Sequence, residues 1–368
     1  MLQLKQGSLT DIFNTYSRVV LFGAGSVTNI MFEAYKELGF EKKVDYIIDN
    51  DPNKDGYIIQ VNKKEIHLVS IKSFCHLHYK NYALIIMPVF FLDIVKQIDV
   101  LEPFSNVPAY TYPFLMNADS SIDYQIRHTR EMKIPKMIHY CWFGENPLPD
   151  KYKKNIESWK KYCPDYDIIE WNETNYDIKK NKFMYQAYKK KRWEYVSDYA
   201  RKDIIYHYGG IYFDTDVEVI KPLDDLLYND SFMCIDDIAN IATGAGFGAT
   251  KQNGLIKEFR DDYDRFSFVD DSGTIIGKAC GNYETPLMVK HGYRPENTFQ
   301  LRDGNAIFPR EVLCPISWMG LPDRYTENTL TVHKYDELLI DIYGKKNADI
   351  KRREIEELIR RAEKGRSE

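Results

Sequence analysis

The sequence predicts an α/β protein in two parts, a small parallel α/β unit followed by a larger α/β unit. Residues 18–22 form an apolar run that ends in Gly23-Ala24-Gly25, and residues 26–39 then have a helical pattern. A second apolar strand covers residues 44–48. Strand, helix and strand in this order are typical of a βαβ unit with a parallel sheet. From about residue 134 onward, further strand and helix patterns alternate, which indicates a second domain.

The composition indicates a globular protein and argues against nucleic-acid binding. The 368 residues include 44% hydrophobic residues and carry a formal net charge of -5, whereas phosphate affinity needs clustered Lys and Arg. The 28 Tyr, 19 Phe and 5 Trp suit either core packing or stacking on sugars and bases. The six cysteines are scattered without a Cys-x-x-Cys pair, which favours reduced thiols and a cytoplasmic location. No run reaches the ~18 apolar residues of a membrane span, so we expect only peripheral contact, at the inner face of the membrane.

The first predicted domain, residues 1–120, is Rossmann-like. Gly23 and Gly25 lie between a strand and a helix, where backbone N–H groups can hold a diphosphate. Asp49 ends the second strand, where ribose hydroxyls are often bound. The third glycine of the dinucleotide fingerprint is replaced by Thr28. Two interpretations therefore stay open: a nucleotide site, or an inherited fold used for packing or assembly.

The second domain is predicted over residues 133–340, after a polar joining stretch at about 116–131. A charge-rich segment at 341–368 follows, in which Ile355, Leu358 and Ile359 recur at helical spacing. This pattern predicts an amphipathic terminal helix. Packing on the body of the protein is the favoured role, and binding to a membrane surface or a partner is the alternative.

The strongest chemical signal is Asp214-Thr215-Asp216, which follows a Gly209-Gly210 break and a short apolar strand. Side chains two residues apart on extended chain point to the same side. Two neighbouring carboxylates in a cleft repel each other unless a cation lies between them, and hard cations prefer carboxylate and diphosphate oxygens. The sequence therefore predicts a site for Mn²⁺ or Mg²⁺ that would stabilise a departing diphosphate.

One or two helices are predicted at residues 185–208, directly before the acidic strand. Asp198 and Arg201 are three residues apart and share a helical face. A routine helical ion pair is the plain alternative. The position before the acidic strand favours a functional role, with Asp198 accepting hydrogen bonds from sugar hydroxyls and Arg201 binding sugar or phosphate.

Three blocks of sequence together resemble glycosyltransferase family 32, which has a DXD sugar-binding region, in its capsular-polysaccharide type. They are residues 134–144, which contain Cys141 and Trp142, residues 158–166, and residues 196–216. The glucosyltransferase domains of large clostridial toxins are more distantly similar. The resemblance covers about residues 133–340 and implies a GT-A fold with a mixed central sheet.

The resemblance also implies roles for individual residues. Trp142 would stack on the nucleobase beside Cys141, although core packing is the other interpretation for this ring. The remaining donor contacts would come from Ser197, Asp198, Arg201, Tyr212 and Asp214. His333 is either the last metal ligand, with Asp214 and Asp216, or a core histidine. Asn282 and Glu284 are candidates for the acceptor side, and a helix-start turn is their alternative.

The function predicted from these features is retaining transfer of a hexose in surface (capsular) polysaccharide synthesis. The donor would be a nucleotide-diphosphate sugar, with UDP favoured over GDP, and the acceptor a glycan or lipid-linked saccharide. Three alternatives stay open: a non-catalytic sugar-nucleotide-binding or assembly module, a transferase that modifies host proteins, and a metal-dependent phosphodiesterase. The phosphodiesterase would need further acidic or His ligands, for which the sequence offers no convincing set.

Overall fold

The computed structural model describes residues 1–117, 129–335 and 345–364, with no side-chain description for residues 345 and 346. Most of the predicted joining stretch at 116–131 lies outside the described residues, as do residues 341–344 and 365–368 of the predicted terminal segment. No helix among the described residues combines the length and the hydropathy that a membrane span requires.

The N-terminal part contains seven strands and five α-helices. In chain order they are β1 (Gln3–Leu4), α1 (Leu9–Thr15), β2 (Val19–Phe22), α2 (Ser26–Ala34), β3 (Val44–Ile48), β4 (Ile58–Val61), β5 (Lys64–Val69), α3 (Ile71–His76), β6 (Ala83–Ile86), α4 (Leu92–Asp99), β7 (Pro108–Thr111) and α5 (Tyr112–Met116).

These strands form one sheet in the order β1-β7-β6-β2-β3-β5-β4. All neighbours are parallel except β4 and β5, which form an antiparallel pair. The predicted βαβ unit is confirmed by β2, α2 and β3, although α2 ends at Ala34 and a 3₁₀ turn precedes Gly39. The predicted parallel sheet is found in six of the seven strands, and β4 joins it antiparallel because the turn-rich stretch after β3 leads into a hairpin.

The second part begins at residue 129 and contains the remaining elements. They are β8 (Met137–Cys141), α6 (Asp150–Tyr162), β9 (Asp167–Trp171), α7 (Lys182–Lys189), α8 (Trp193–Tyr208), β10 (Gly210–Tyr212), β11 (Val217–Val219), β12 (Ser231–Cys234), β13 (Phe247–Ala249), α9 (Gly254–Asp262), α10 (Gly281–Lys290), β14 (Gln300–Arg302), β15 (Asn305–Phe308), α11 (Arg310–Leu313), β16 (Thr331–His333) and α12 (Lys345–Lys364).

The central sheet of this part is mixed, as predicted, with the strand order β14-β15-β12-β13-β10-β8-β9. β13 is antiparallel to both of its neighbours, β10 and β12, so β10 and β12 run in the same direction. β8 is parallel to β10. The carboxyl ends of β8, β10 and β12 therefore lie at one edge of the sheet, which is where α/β proteins usually bind their ligands.

The Gly209-Gly210 break allows α8 to turn directly into β10. Both glycines have positive φ, 72° and 94°, a conformation that residues with a Cβ seldom adopt. A Cβ at Gly210 would also lie 2.8 Å from the Met137 carbonyl oxygen of the neighbouring strand. The chain thus reverses at this pair, so that α8 runs beside β10 and Arg201 of α8 reaches Asp214 beyond the carboxyl end of β10.

The two parts share buried contacts rather than meeting through a solvated seam. The Tyr112 hydroxyl donates to the Ile238 carbonyl at 2.9 Å, and the Tyr35 hydroxyl donates to the Glu296 carboxylate at 2.9 Å. The terminal helix α12 packs back on the N-terminal sheet, where Arg361 binds Asp99 at 2.7 Å. The predicted packing of this helix on the body is therefore confirmed for the described residues.

Candidate functional site

The carboxyl ends of β8 and β10 form the floor of the site. Ile211 of β10 pairs with Ile138 of β8, so Cys141 at the end of β8 and Asp214 after β10 lie at the same edge. Asp214 and Asp216 lie in the short turn between β10 and β11, and both are partly exposed. The predicted position of the acidic pair, at the end of a buried strand, is found in the structure.

Three hydrogen bonds hold the Asp214 backbone and carboxylate in place. The Tyr212 hydroxyl donates to Oδ1 at 2.9 Å, and Arg201 Nη1 donates to Oδ2 at 3.3 Å. The Asp214 backbone N–H donates to the Gly244 carbonyl at 3.0 Å. The carboxylate is therefore oriented before any ligand arrives, which lowers the cost of binding one.

His333 reaches the acidic pair through a small separate sheet. β11 pairs antiparallel with β16, and the register places Val217 opposite His333. His333 Nε2 lies 3.1 Å from Asp216 Oδ1. Burial lowers the pKa of His333, but the Asp216 carboxylate outweighs burial and raises it to about 8. Burial raises the pKa of Asp216, and the facing imidazole more than offsets this, so that pKa is lowered.

Asp214, Asp216 and His333 fit a divalent cation. One ligand atom from each residue lies within 4.8 Å of the other two. The second ring nitrogen of His333, Nδ1, is buried and has no hydrogen-bond partner within the described ranges. Two carboxylates and an imidazole form a donor set that suits divalent metals. Of the two interpretations of His333, the geometry favours the ligand over the core histidine.

Asp198 and Arg201 form a buried ion pair behind Asp214. Their exposed fractions are 4% and 3%, and Arg201 Nη2 donates directly to Asp198 Oδ1. The Arg201 guanidinium also lies over the Tyr212 ring, 5.4 Å from its centroid. Burial raises the pKa of Asp198 to about 6, and Arg201 opposes that rise. The pair orients Asp214, and the predicted contacts of both side chains with the donor stay predictions.

The other predicted donor-side residues surround this cluster. Cys141 is buried, which raises its pKa to about 12, and it lies close to Tyr212 and Arg201. Trp142 is half-buried, and its indole N–H donates to the Asn146 carbonyl at 2.6 Å. The Ser197 hydroxyl donates to the Glu194 carbonyl of its own helix at 2.9 Å. Cys141 and Tyr212 thus lie beside Arg201 and Asp214, while Trp142 follows directly after the end of β8.

The two predicted acceptor residues occupy different environments on α10. Asn282 is exposed in the first turn. Glu284 is 1% exposed and forms an ion pair with Lys202, which is 0% exposed. It also accepts a hydrogen bond from the Thr243 hydroxyl at 2.9 Å. Glu284 is therefore buried, with one carboxylate oxygen paired to Lys202 and Thr243, and its predicted acceptor-side role stays a prediction.

The N-terminal glycine turn is closed by its own acidic residue. The Asp49 carboxylate accepts hydrogen bonds from the backbone N–H groups of Ala24 and Asp51 at 2.8 and 2.9 Å, and from Lys54 at 2.9 Å. A Cβ at Gly23 would lie 2.8 Å from the Pro88 ring, while Gly25 is exposed. A ribose would have to displace these donors from Asp49. Of the two interpretations, the geometry favours packing over a nucleotide site.

Sequence reasoning missed two residues that complete the site. A Cβ at Gly244 would lie 2.4 Å from Asp214 Oδ2 and 2.9 Å from Arg201 Nη1. Lys202 supports the helix that carries Asp198 and Arg201. The alternating glycines at 244, 246 and 248 were a signal that a backbone approaches closely here. For Lys202 no local signal exists, because its partner Glu284 is distant in sequence.

Comparison with known proteins supports part of the sequence-based assignment. A family model described as "Glycosyltransferase sugar-binding region containing DXD motif" matches residues 149–233. This region includes Asp198, Arg201, Asp214 and Asp216. The predicted DXD glycosyltransferase region is therefore confirmed, and its capsular-polysaccharide type stays a prediction.

The curated relatives are similar over a limited stretch. Inositol phosphoceramide mannosyltransferase 1 of Schizosaccharomyces pombe is 30% identical over 134 residues, which cover 33% of this chain and 40% of that protein. Mannosyl phosphorylinositol ceramide synthase SUR1 of Saccharomyces cerevisiae is 31% identical over 104 residues, which cover 27% of each chain. The chain thus spans less than half the length of these relatives. Among solved structures, the PaToxG glycosyltransferase is 16% identical and covers 45% of this chain and 72% of its own, with a TM-score of 0.34 that supports no argument.

Proposed function

We propose that this chain transfers a hexose from a nucleotide-diphosphate sugar to a hydroxyl group of a saccharide or lipid-linked saccharide. One observation carries the proposal: the ligand atoms of Asp214, Asp216 and His333 lie within 4.8 Å of one another. Two of these three residues belong to the stretch that matches the DXD glycosyltransferase family. The site also lies at the carboxyl edge of a mixed sheet, where a nucleotide can approach the strand ends.

The chain's own groups are arranged for the charge that such a reaction develops. A divalent cation bound by Asp214, Asp216 and His333 would neutralise the departing diphosphate. Arg201 is held by Asp198 and aimed at Asp214, so its guanidinium keeps that carboxylate in a ligand-binding orientation. Trp142 at the border of the site offers a ring face for the nucleobase.

The stereochemical course that we propose is retention, in line with the sequence resemblance. The bond between the anomeric carbon and the diphosphate oxygen breaks, and the acceptor oxygen forms its bond to the same face of that carbon. The acceptor proton passes to the departing diphosphate oxygen. No protein nucleophile is required in this scheme, and we nominate none.

Donor and acceptor are proposed at the level of class. The sequence resemblance favours UDP over GDP, whereas the names of the curated relatives point to mannose and to an inositol-containing lipid as substrates of those proteins. Both nucleotides therefore belong in the first test, with GDP-mannose included. We further propose that the protein works in the cytoplasm at the inner face of the membrane, in the synthesis of a surface glycan.

The experiment is calorimetric titration of UDP- and GDP-sugars with and without Mn²⁺, on the wild type and on Asp214→Asn/Asp216→Asn. We expect one donor to bind only with metal and to lose that binding in the double variant. Donor hydrolysis with release of intact sugar would then separate a transferase from a phosphodiesterase, which would cut within the diphosphate.

A variant in the N-terminal domain serves as the matched control. A Cβ at Gly25 meets nothing within 4 Å, so Gly25→Glu can fold while it places a negative charge at the glycine turn. Donor binding should survive this change. If Gly25→Glu abolishes binding and Asp214→Asn/Asp216→Asn does not, the nucleotide site lies in the N-terminal domain, and the assembly-module interpretation replaces the transferase.

A further inference from the structure

Asp236 lies at the same edge of the central sheet as Asp214. Met233 of β12 and Tyr212 of β10 both pair with Phe247 of the intervening strand β13. Asp214 is two residues beyond Tyr212 and Asp236 is three residues beyond Met233, so Asp236 lies one residue further past the sheet. Because β12 and β10 run in the same direction, both carboxylates emerge at the same edge of the sheet.

The Asp236 side chain is held in place by hydrogen bonds that leave some of its acceptor positions unused. Its Oδ1 accepts hydrogen bonds from the backbone N–H groups of Ile238 and Asn240, at 3.0 and 2.9 Å. The side chain of Trp318 lies within hydrogen-bonding reach. A carboxylate has about four acceptor positions, and Asp236 is partly exposed, so capacity remains for a ligand hydroxyl.

The neighbouring Asp237 has a different role. It is buried, binds Arg310 at 2.7 Å and accepts a hydrogen bond from the Ser317 hydroxyl at 2.6 Å. These contacts anchor the segment 315–321 to the end of β12. Of the two adjacent carboxylates, Asp237 is buried and Asp236 is partly exposed, so Asp236 is the one that a ligand can reach.

Tyr335 lies between the metal-ligand cluster and Asp236. Its ring packs on the ring of His333, with centroids 4.0 Å apart. Burial raises its pKa well above the ordinary value, and the nearby Asp236 and Asp237 carboxylates raise it further. Its hydroxyl is buried and has no hydrogen-bond partner in the part of the chain that the structure describes. An unsatisfied buried hydroxyl at this place indicates a missing polar partner.

We propose that Asp236 and Tyr335 form the acceptor subsite and that it binds the hydroxyl groups of a neutral polyol, a sugar or a cyclitol. The inference rests on the proposed transferase function and specifies the acceptor side of that site. A carboxylate accepts hydrogen bonds from hydroxyls and repels phosphate and carboxylate groups. The aromatic faces of Tyr335 and Trp318 suit the apolar face of a ring.

In the proposed transfer, Asp236 orients the acceptor hydroxyl and does not keep its proton. The acceptor oxygen bonds to the anomeric carbon as the diphosphate oxygen leaves, and the proton goes to that departing oxygen. Burial raises the pKa of Asp236 to about 7, against the opposing effect of its backbone donors. Assays at pH 8 therefore examine the ionised carboxylate.

The test measures nucleotide-diphosphate release at pH 8 with Mn²⁺ and the donor selected by titration. Methyl α-D-mannoside, methyl α-D-glucoside and myo-inositol serve as acceptors. We expect at least one of these polyols to increase release above hydrolysis in the wild type. In Asp236→Asn the KM for that polyol should rise about ten- to a hundredfold, since a hydrogen bond to a charged group is worth about 1.5–3 kcal/mol. Tyr335→Phe should raise the same KM while it keeps the ring on His333.

Asp230→Asn is the matched control, because Asp230 lies at the opposite end of β12 and is partly exposed beside Lys133 at 2.6 Å. It should leave the polyol KM and the donor affinity unchanged. An unchanged polyol KM in both Asp236→Asn and Tyr335→Phe would overturn the inference. So would a loss of donor affinity in Asp236→Asn, or the failure of every polyol to increase release. If the wild type neither binds nor hydrolyses any donor, the proposed function itself fails.

Discussion

The backbone N–H of Asp214 donates a 3.0 Å hydrogen bond to the carbonyl of Gly244, and a side chain at residue 244 would displace the Asp214 carboxylate. A Cβ there would lie 2.4 Å from Asp214 Oδ2, far inside van der Waals contact. The first carboxylate of the Asp-Thr-Asp motif is therefore positioned by a residue in the turn that precedes β13. This contact explains why the motif needs its tertiary surroundings to form a site.

We predict that Gly244→Ala weakens metal-dependent donor binding without unfolding the protein. The methyl group must push Asp214 or Arg201 aside, and overpacking of this kind costs about 1–3 kcal/mol, or roughly 5- to 150-fold in affinity. Calorimetric titration with Mn²⁺ measures the loss. Gly254→Ala is the control, because a Cβ at Gly254 meets nothing within 4 Å. Equal affinities in the two variants would contradict the positioning role of Gly244.

A second prediction concerns the buried ion pair of Lys202 and Glu284. Removing one partner strands the other charge in the core, so Lys202→Met and Glu284→Gln should each cost about 3–5 kcal/mol of unfolding free energy. The double variant Lys202→Met/Glu284→Gln should recover most of that loss, because neither side chain then carries a charge. Urea unfolding of the four proteins measures the coupling.

The exposed pair Lys257 and Asp261, 2.6 Å apart on α9, provides the comparison. Lys257→Met should leave the unfolding free energy nearly unchanged, because solvent screens such pairs. If Lys202→Met is as mild as Lys257→Met, the ion pair does not support α8. If Glu284→Gln instead leaves the unfolding free energy unchanged and weakens acceptor binding, that result would support the acceptor-side role predicted for Glu284.

Features that depend on neighbouring residues were predictable from the sequence. The strand at 44–48 matches β3, and the interval 185–208 contains α8 and the last residues of α7, which begins three residues earlier. The Gly209-Gly210 break and the acidic pair were also identified, because tight turns and strand ends have local signatures. The family match over residues 149–233 includes the interval 185–208, the Gly209-Gly210 break and the acidic pair.

Features that depend on distant pairing were not predictable in the same way. His333 reaches Asp216 only because β16 pairs with β11, and no local pattern announces that pairing. Glu284 reads as a helix-start residue, yet tertiary packing places it against Lys202 in the core. No local pattern in the sequence pointed to Asp236, because its place at the sheet edge that carries the acidic pair follows from the direction of β12 relative to β10. Sheet order is a long-range property, and a single sequence carries little information about it.

A third prediction concerns the pH dependence of stability that arises from His139, a buried residue of β8. Burial lowers its pKa to about 4, and the hydrogen bond to the Gly209 carbonyl opposes this only in part. The folded-state pKa lies below the ordinary value of 6.5, so the unfolded state binds an extra proton between these limits. The contribution of His139 to stability is therefore complete above pH 6.5 and is lost as pH falls toward 4, by up to about 3 kcal/mol.

Two measurements check this dependence. Urea unfolding between pH 7.5 and 4.5 should show a falling unfolding free energy, with a weaker pH dependence in His139→Asn. The imidazole NMR shifts of His139 in the folded protein should stay those of the neutral ring down to about pH 4, as its pKa requires. A titration midpoint near 6.5 for this ring would contradict the buried, neutral state.

The last prediction concerns the attachment of the terminal helix α12 to the N-terminal sheet. Arg361 binds both carboxylate oxygens of Asp99, at 2.7 and 2.8 Å, and also donates to the Leu2 carbonyl at 2.6 Å. Asp99 in turn accepts the Leu2 backbone N–H at 2.6 Å, so one bidentate pair joins α12, α4 and the chain just before β1. Arg361→Ala should lower the unfolding free energy by about 1–2 kcal/mol, since a mostly buried, charge-assisted bidentate pair stabilises the fold more than an open surface pair.

Amide hydrogen exchange at Leu2, Gln3 and Leu4 should accelerate in Arg361→Ala and stay unchanged in Arg353→Ala, which alters an exposed residue of the same helix. Equal exchange in both variants would mean that the other contacts of α12, namely the buried Ile355 and Ala362 and the ion pair of Glu354 with Lys96, hold it without Arg361.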